Sequence, residues 1–152
     1  MEVQHFEDLQ EELMRRVSRG VYAVLATVDR GNHPRQRLMH PVWDGQTAWI
    51  ITRPGSLKTR HLRANPAVSL AYPQPIEQPV YITGIAEWIE TEEEKQHVWD
   101  LHKNTPPPVG FDPQPYYGSI QHPDFGLLRL TPDRIELANL GGEGLIWRLP
   151  AA

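Results

Sequence analysis

Val24-Leu25-Ala26-Thr27-Val28-Asp29-Arg30-Gly31-Asn32-His33-Pro34-Arg35-Gln36-Arg37-Leu38-Met39 opens the stretch, residues 24–72, that decides the fold. Its start belongs to Val21 to Val28, which is rich in β-formers and predicts a buried strand. Asp29-Arg30-Gly31-Asn32 is a turn signal, and His33 to Val42 reads as a second strand. Asp44-Gly45 marks a hairpin, with a third strand over Thr47 to Thr52. Arg53-Pro54-Gly55 breaks that strand. Ser56 is placed to N-cap a short helix running to about Ala64, where Asn65-Pro66 stops it. Ala67 to Tyr72 reads as a fourth strand.

On the N-terminal side, Phe6, Leu9, Leu13 and Val17 fall at helical spacing, which predicts an amphipathic helix ending near Gly20. On the C-terminal side, Val80 to Ile89 reads as a fifth strand, bent or bulged at Gly84. Thr91-Glu92-Glu93-Glu94 resembles a capping box and starts a helix ending near Lys103. Asn104 to Pro123 holds six prolines and is expected to be irregular. A loop of that length is often functional or mobile. Phe125 to Leu130, Arg134 to Ala138 and Leu145 to Leu149 are expected closing strands. Short consecutive strands with few helices predict a mainly β (α+β) chain, an antiparallel barrel or sandwich. At 152 residues it is expected to form a single domain.

The chain has no cysteine, which excludes disulfides, thiolate metal sites and cysteine nucleophiles. Its acidic, mixed start lacks the pattern of a signal peptide, and no apolar run suits a membrane span. A cytoplasmic location, with no membrane partner, is the expectation. Net charge is −4, yet the window Arg35 to Arg63 carries six basic residues against Asp44 alone. A basic island in an acidic chain points to a local anionic ligand rather than a nucleic-acid track. The plain alternative is a chance cluster on a solvated face.

The island has a chemical logic. Arg35, Arg37 and Met39 alternate and share one face of a strand. The Pro-Gly turn delivers Ser56 to a helix start, where backbone N–H groups point outward, and Lys58 lies in the first turn. Arg37, arriving from a neighbouring strand, is placed to close a clamp on a phosphate. No GxxxxGK[ST] or GxGxxG motif is present. His97 and His102 are five apart on a helix, off one face, so zinc is not expected. Trp43, Trp49, Trp88, Trp99 and Trp147 read as core or interface residues.

The ordered set Ala26-Thr27-Val28-Asp29-x-Gly31-x-x-Pro34-x-x-Arg37, Asp44-Gly45, Thr52-x-x-x-Ser56-x-Lys58 and Asn65-Pro66-x-Val68 resembles the pyridoxamine 5′-phosphate oxidase-like family, in particular its general stress protein branch. Gly84 and Gly110-Phe111-Asp112-Pro113 echo later features of that family. The resemblance implies an antiparallel split β-barrel with a few flanking helices, and FMN bound at the interface of a homodimer. Arg37, Lys58 and Ser56, with the adjoining Leu57, would hold the phosphate. The backbone of Leu38, Met39 and His40, with Ile51 and Thr52, would lie against the flavin ring, and the partner would contribute from around Gln78 and from near the C-terminal strands. It implies an FMN-dependent oxidoreductase using NAD(P)H or a small-molecule substrate. The alternatives are a non-catalytic flavin carrier or redox sensor, or a relative using a deazaflavin or haem. The family's true oxidases end in an Arg-x-His motif. This sequence closes on Ile146-Trp147-Arg148-Leu149-Pro150, so pyridoxamine phosphate oxidation itself is not expected.

Overall fold

The computed structural model describes all 152 residues. In chain order the elements are β1 (Glu2–Val3), α1 (Glu7–Gly20), β2 (Ala23–Val28), β3 (Pro34–Met39), β4 (Val42–Asp44), β5 (Thr47–Thr52), α2 (Leu57–Ala64), β6 (Ala67–Tyr72), β7 (Val80–Ile89), α3 (Glu92–Asn104), α4 (Gln114–Tyr117), β8 (Gly126–Leu137) and β9 (Leu145–Arg148). The strands form one sheet in the order β1-β9-β8-β7-β6-β2-β3. β5 joins it through β8, and β4 through β5. Every pairing is antiparallel except β1 with β9.

The sheet forks along β8. Residues 126–130 pair with β5, and residues 134–137 pair with β9, while β7 runs beside both halves. The barrel is split rather than closed. β3 has β2 as its sole neighbour, and beyond Trp49 the outer edge of β5 has none. Both edges leave backbone N–H and C=O groups without a ladder partner.

Side-chain alternation builds a core on each face of the central strands. Ile50 and Leu128 point inward with Leu9, Leu13, Leu25, Leu70, Ile82 and Ile135. Their chain neighbours Trp49 and Leu127 point outward, where Val98 and Trp99 from α3, Val109 from the proline-rich loop and Phe125 just before β8 cover them. Trp43, Trp49, Trp99 and Trp147 are all buried in these cores, as the sequence predicts. Inside the main core, Trp43 Nε1 donates to the Tyr72 hydroxyl at 3.0 Å. Tyr72→Phe strands that indole N–H in an apolar interior. It is expected to lower unfolding free energy by about 1–3 kcal/mol, read by urea denaturation. An unchanged midpoint would mean that the indole finds another acceptor.

Several elements differ from the sequence expectation. The strand expected over residues 33–42 is two, because Pro41 has no N–H for a ladder. β3 pairs with β2, and β4 pairs with β5. The two strands expected around Pro132 are one. A register shift at Thr83/Gly84 lets β8 pass its proline without losing β7. Gly84 is required there, since a Cβ would lie 2.2 Å from the Thr131 carbonyl oxygen. β1, two residues long, was not foreseen, and the proline-rich loop contains the single turn of α4. No helix is long and apolar enough to cross a membrane.

Candidate functional site

Helix α2 packs over β2, burying Thr59 and Leu62. This sets its first turn against the β2–β3 hairpin. Between them lies an open cleft of about 760 Å³. Asp29, Arg35, Gln36 and Arg37 line it from the hairpin, and Ser56, Leu57, Lys58 and His61 from the helix. The alternation of β3 turns Arg37 toward α2.

Arg37 is held from behind. Its Nη1 donates to Thr27 Oγ1 at 2.7 Å and to the Leu25 carbonyl at 3.3 Å. Thr27 Oγ1 also lies 2.9 Å from His61 Nδ1. Thr27 therefore ties strand and helix together behind the guanidinium. Across the cleft, Lys58 Nζ donates to Ser56 Oγ at 3.0 Å. Ser56 occupies the N-cap position, yet its hydroxyl makes no bond to a helical N–H. It lies 3.3 Å from Thr59 Oγ1 instead. In the first turn of α2 the Thr59 N–H donates to the Ser56 carbonyl at 3.1 Å, while the Leu57 and Lys58 N–H groups have no intrahelical acceptor.

Neither Arg37 nor Lys58 has a carboxylate partner. Burial lowers the Arg37 pKa. Burial and then the nearby Arg37 charge lower that of Lys58. The one acid in the lining, Asp29, is already engaged. It accepts from the Gly31 and His33 backbone and from Arg35 Nε at 3.0 Å. The His33 backbone bond leads the interactions that hold its carboxyl down at about 2. Two half-buried cations thus face one space without a counter-charge. An anion between them would relieve both the desolvation and the repulsion.

The other residues singled out by sequence divide. Leu57 lines the same cleft as Arg37, Ser56 and Lys58, and is 68% exposed. Leu38, 65% exposed, and Met39 continue along the unpaired edge of β3. His40 follows and borders a second cavity of about 280 Å³ with Tyr22, Phe111, Tyr116 and Tyr117. Ile51 and Thr52 pair with Leu127 and Gly126 on β8 and line neither cavity. Gln78 bonds Arg15 at 3.2 Å and lines neither. Sequence reasoning missed Thr27 and His61. His61 sits three residues after Lys58, on the same helix face, which was the available signal.

The proline-rich loop packs down on this side of the fold. Phe111 lies with its ring centroid 4.5 Å from that of His102 and 5.9 Å from that of His40. His102 is 1% exposed, and neither ring nitrogen has a hydrogen-bond partner. His40 Nε2 is likewise buried without one.

A family model described as pyridoxamine 5′-phosphate oxidase matches residues 9–139. A pyridoxine/pyridoxamine 5′-phosphate oxidase from an Enterobacter species is 39% identical over 70 residues. That match spans 45% of this chain but only 32% of the relative's length. Among solved structures, a Clostridium acetobutylicum protein related to general stress protein 26 superposes with a TM-score of 0.74 at 17% identity. The overlap covers 94% of this chain and 96% of that one. A pyridoxamine 5′-phosphate oxidase-related, FMN-binding protein from Nostoc punctiforme gives 0.64 at 16% identity, over 89% and 86%. A haem-binding protein from Mycobacterium smegmatis gives 0.67 at 19%, over 88% and 55%. At such identities the likeness speaks to the fold alone.

Proposed function

This chain belongs to the pyridoxamine 5′-phosphate oxidase family, and from that premise we propose that it is an FMN-binding oxidoreductase. The observation that carries the reading is the pair of uncompensated cations, Arg37 and Lys58, facing each other across one cleft. Their spacing of roles suits a phosphate. Arg37 supplies a guanidinium already anchored by Thr27, Lys58 a mobile point charge, and Ser56 a hydroxyl. Leu57 and Lys58 add first-turn N–H groups. The unpaired β3 edge at Leu38, Met39 and His40, with the β5 edge at Ile51 and Thr52, offers backbone donors and acceptors to a planar ring.

FMN supplies hydride or electron transfer, and the protein supplies binding, orientation and electrostatics. The cavity beside His40 gives a small organic substrate, or the nicotinamide of NAD(P)H, a place next to that edge. Anaerobic addition of NADH or NADPH to the FMN-loaded protein is expected to bleach the flavin's visible band at a saturable rate. Bound FMN that neither nucleotide reduces would favour a carrier or sensor over an enzyme.

Leu57 lines the cleft at 68% exposure, and Leu38 stands on the unpaired β3 edge at 65%, so the site is open on one side. We assign the cover of that side to a second copy. A two-fold axis then completes two equivalent FMN sites. Sedimentation of the loaded protein is expected to show a homodimer carrying two FMN. A monomer retaining full FMN affinity at nanomolar protein would contradict this. The wall of the site would then come from the proline-rich loop of the same chain.

A further inference from the structure

The chain has twelve arginines. Seven are held in ion pairs: Arg15, Arg16, Arg35, Arg53, Arg129, Arg134 and Arg148. Of the five that remain, Arg19 stands apart. The other four are Arg37, already described, and Arg30, Arg60 and Arg63.

Those last three face one space. A second open cleft, about 700 Å³, lies between the tip of the β2–β3 turn and the face of α2 formed by Leu57, Arg60, His61 and Ala64. These positions are i, i+3, i+4 and i+7 and share one side of the helix. Arg30 enters from the turn and Arg63 from the last turn of the helix. The cleft shares Asp29, Leu57 and His61 with the Arg37–Lys58 cleft, so the two run into one another. Asp29 is the sole acid in either lining and belongs to Arg35. Glu87, which shares a neighbouring hollow with Arg63, belongs to Arg129. A chain of net charge −4 therefore leaves three guanidinium groups without a carboxylate around a space that adjoins the phosphate position.

We propose that this cleft is a second anionic subsite, taking a negatively charged group attached to the cofactor's phosphate, as in a flavin phosphodiester or diphosphate. The inference rests on reading the Arg37–Lys58 cleft as the site of the first phosphate. A flavin monophosphate ends at that cleft and leaves Arg30, Arg60 and Arg63 unmatched. A cofactor that continues past its phosphate into a further anion meets all three. The subsite asks for negative charge at the surface rather than a fixed shape, since the three side chains are exposed.

FAD serves as the probe. FMN and FAD are titrated into the apoprotein, wild type and Arg60→Ala/Arg63→Ala, at about 0.15 M ionic strength to screen distant charge. Both substitutions lie on the exposed side of α2, where alanine favours helix. Two exposed charged contacts are together worth about tenfold in affinity. The double variant is expected to lose about that factor for FAD while FMN changes less than about threefold. Arg19→Ala, removing the unpaired arginine outside both clefts, is expected to affect neither ligand. Equal losses for FMN and FAD in the double variant would overturn the proposal. So would a wild type that takes FMN but refuses FAD, or an Arg19→Ala protein that loses FAD as the double variant does. A wild type that binds neither flavin would fail at the earlier step, and the flavin reading would fall with the subsite.

Discussion

Lys58→Ala is expected to weaken FMN binding by about 10- to 150-fold while leaving riboflavin nearly untouched, because a charged hydrogen bond is worth roughly 1.5–3 kcal/mol. Lys58 is a cleaner probe than Arg37. The ammonium bonds only Ser56, whereas Arg37 also satisfies Thr27 and the Leu25 carbonyl. Removing Arg37 leaves those groups to find new partners, and stability changes along with affinity. Removing Lys58 deletes one of two facing positive charges. The apoprotein should therefore keep its stability, or gain slightly, as its ligand affinity falls. Parallel titrations with FMN and riboflavin separate phosphate recognition from ring recognition. Losses of the same size for both ligands would show that Lys58 does not read the phosphate.

A second large effect is expected in acid. His102 is sealed beneath Phe111 with no hydrogen-bond partner, and burial, aided by the nearby His40, pushes its pKa down to about 4. The Val109 backbone opposes this only in part. In the unfolded chain the imidazole takes a proton near pH 6.5. Between that value and about 4 the unfolded state therefore binds the extra proton, and stability falls as pH falls through the window. A shift of this size corresponds to about 3 kcal/mol over the whole range. His40, also pushed down by burial, adds in the same direction. Glu12, held at about 2 chiefly by its bond to Arg15, contributes stability that is present above its ordinary pKa near 4.5 and lost only below it. The two windows are thus distinct. Urea unfolding between pH 7 and 5 is expected to show a declining midpoint in the wild type and a flatter profile in His102→Leu. Matching pH profiles for the two proteins would assign the acid sensitivity elsewhere.

Much of this architecture was legible because it is local. The alternation across Val80–Ile89, the glycine at its register shift and the capping box at Thr91 each depend on neighbours within a few residues. The meeting of Arg37 with Lys58 was legible for a related reason. A strand fixes which residues share a face, and a Pro-Gly turn followed by Ser56 fixes where a helix begins. What escaped depends on contacts between elements distant in sequence. Thr27 and His61 meet only because α2 packs on β2. Pro132 suggested a break, yet β8 passes through it by carrying an extra residue, Asp133, opposite the Thr83–Gly84 step of β7. The spacing of His97 and His102 placed them on different helix faces. It gave no hint that one is exposed and paired with Asp44 while the other is buried without a partner. That asymmetry comes from where the loop lays Phe111. Likewise the basic window did not show which of its arginines are already paired. Arg35 and Arg53 are taken up by Asp29 and Asp124, while Arg60 and Arg63 are not.

We propose that the Arg37–Lys58 cleft holds the phosphate of a flavin, and isothermal titration of FMN into the folded, flavin-free protein measures this. The expected result is saturable binding of about one FMN per chain, much tighter than riboflavin under the same conditions. A folded protein that takes up no FMN, or that binds FMN and riboflavin equally well, would contradict it.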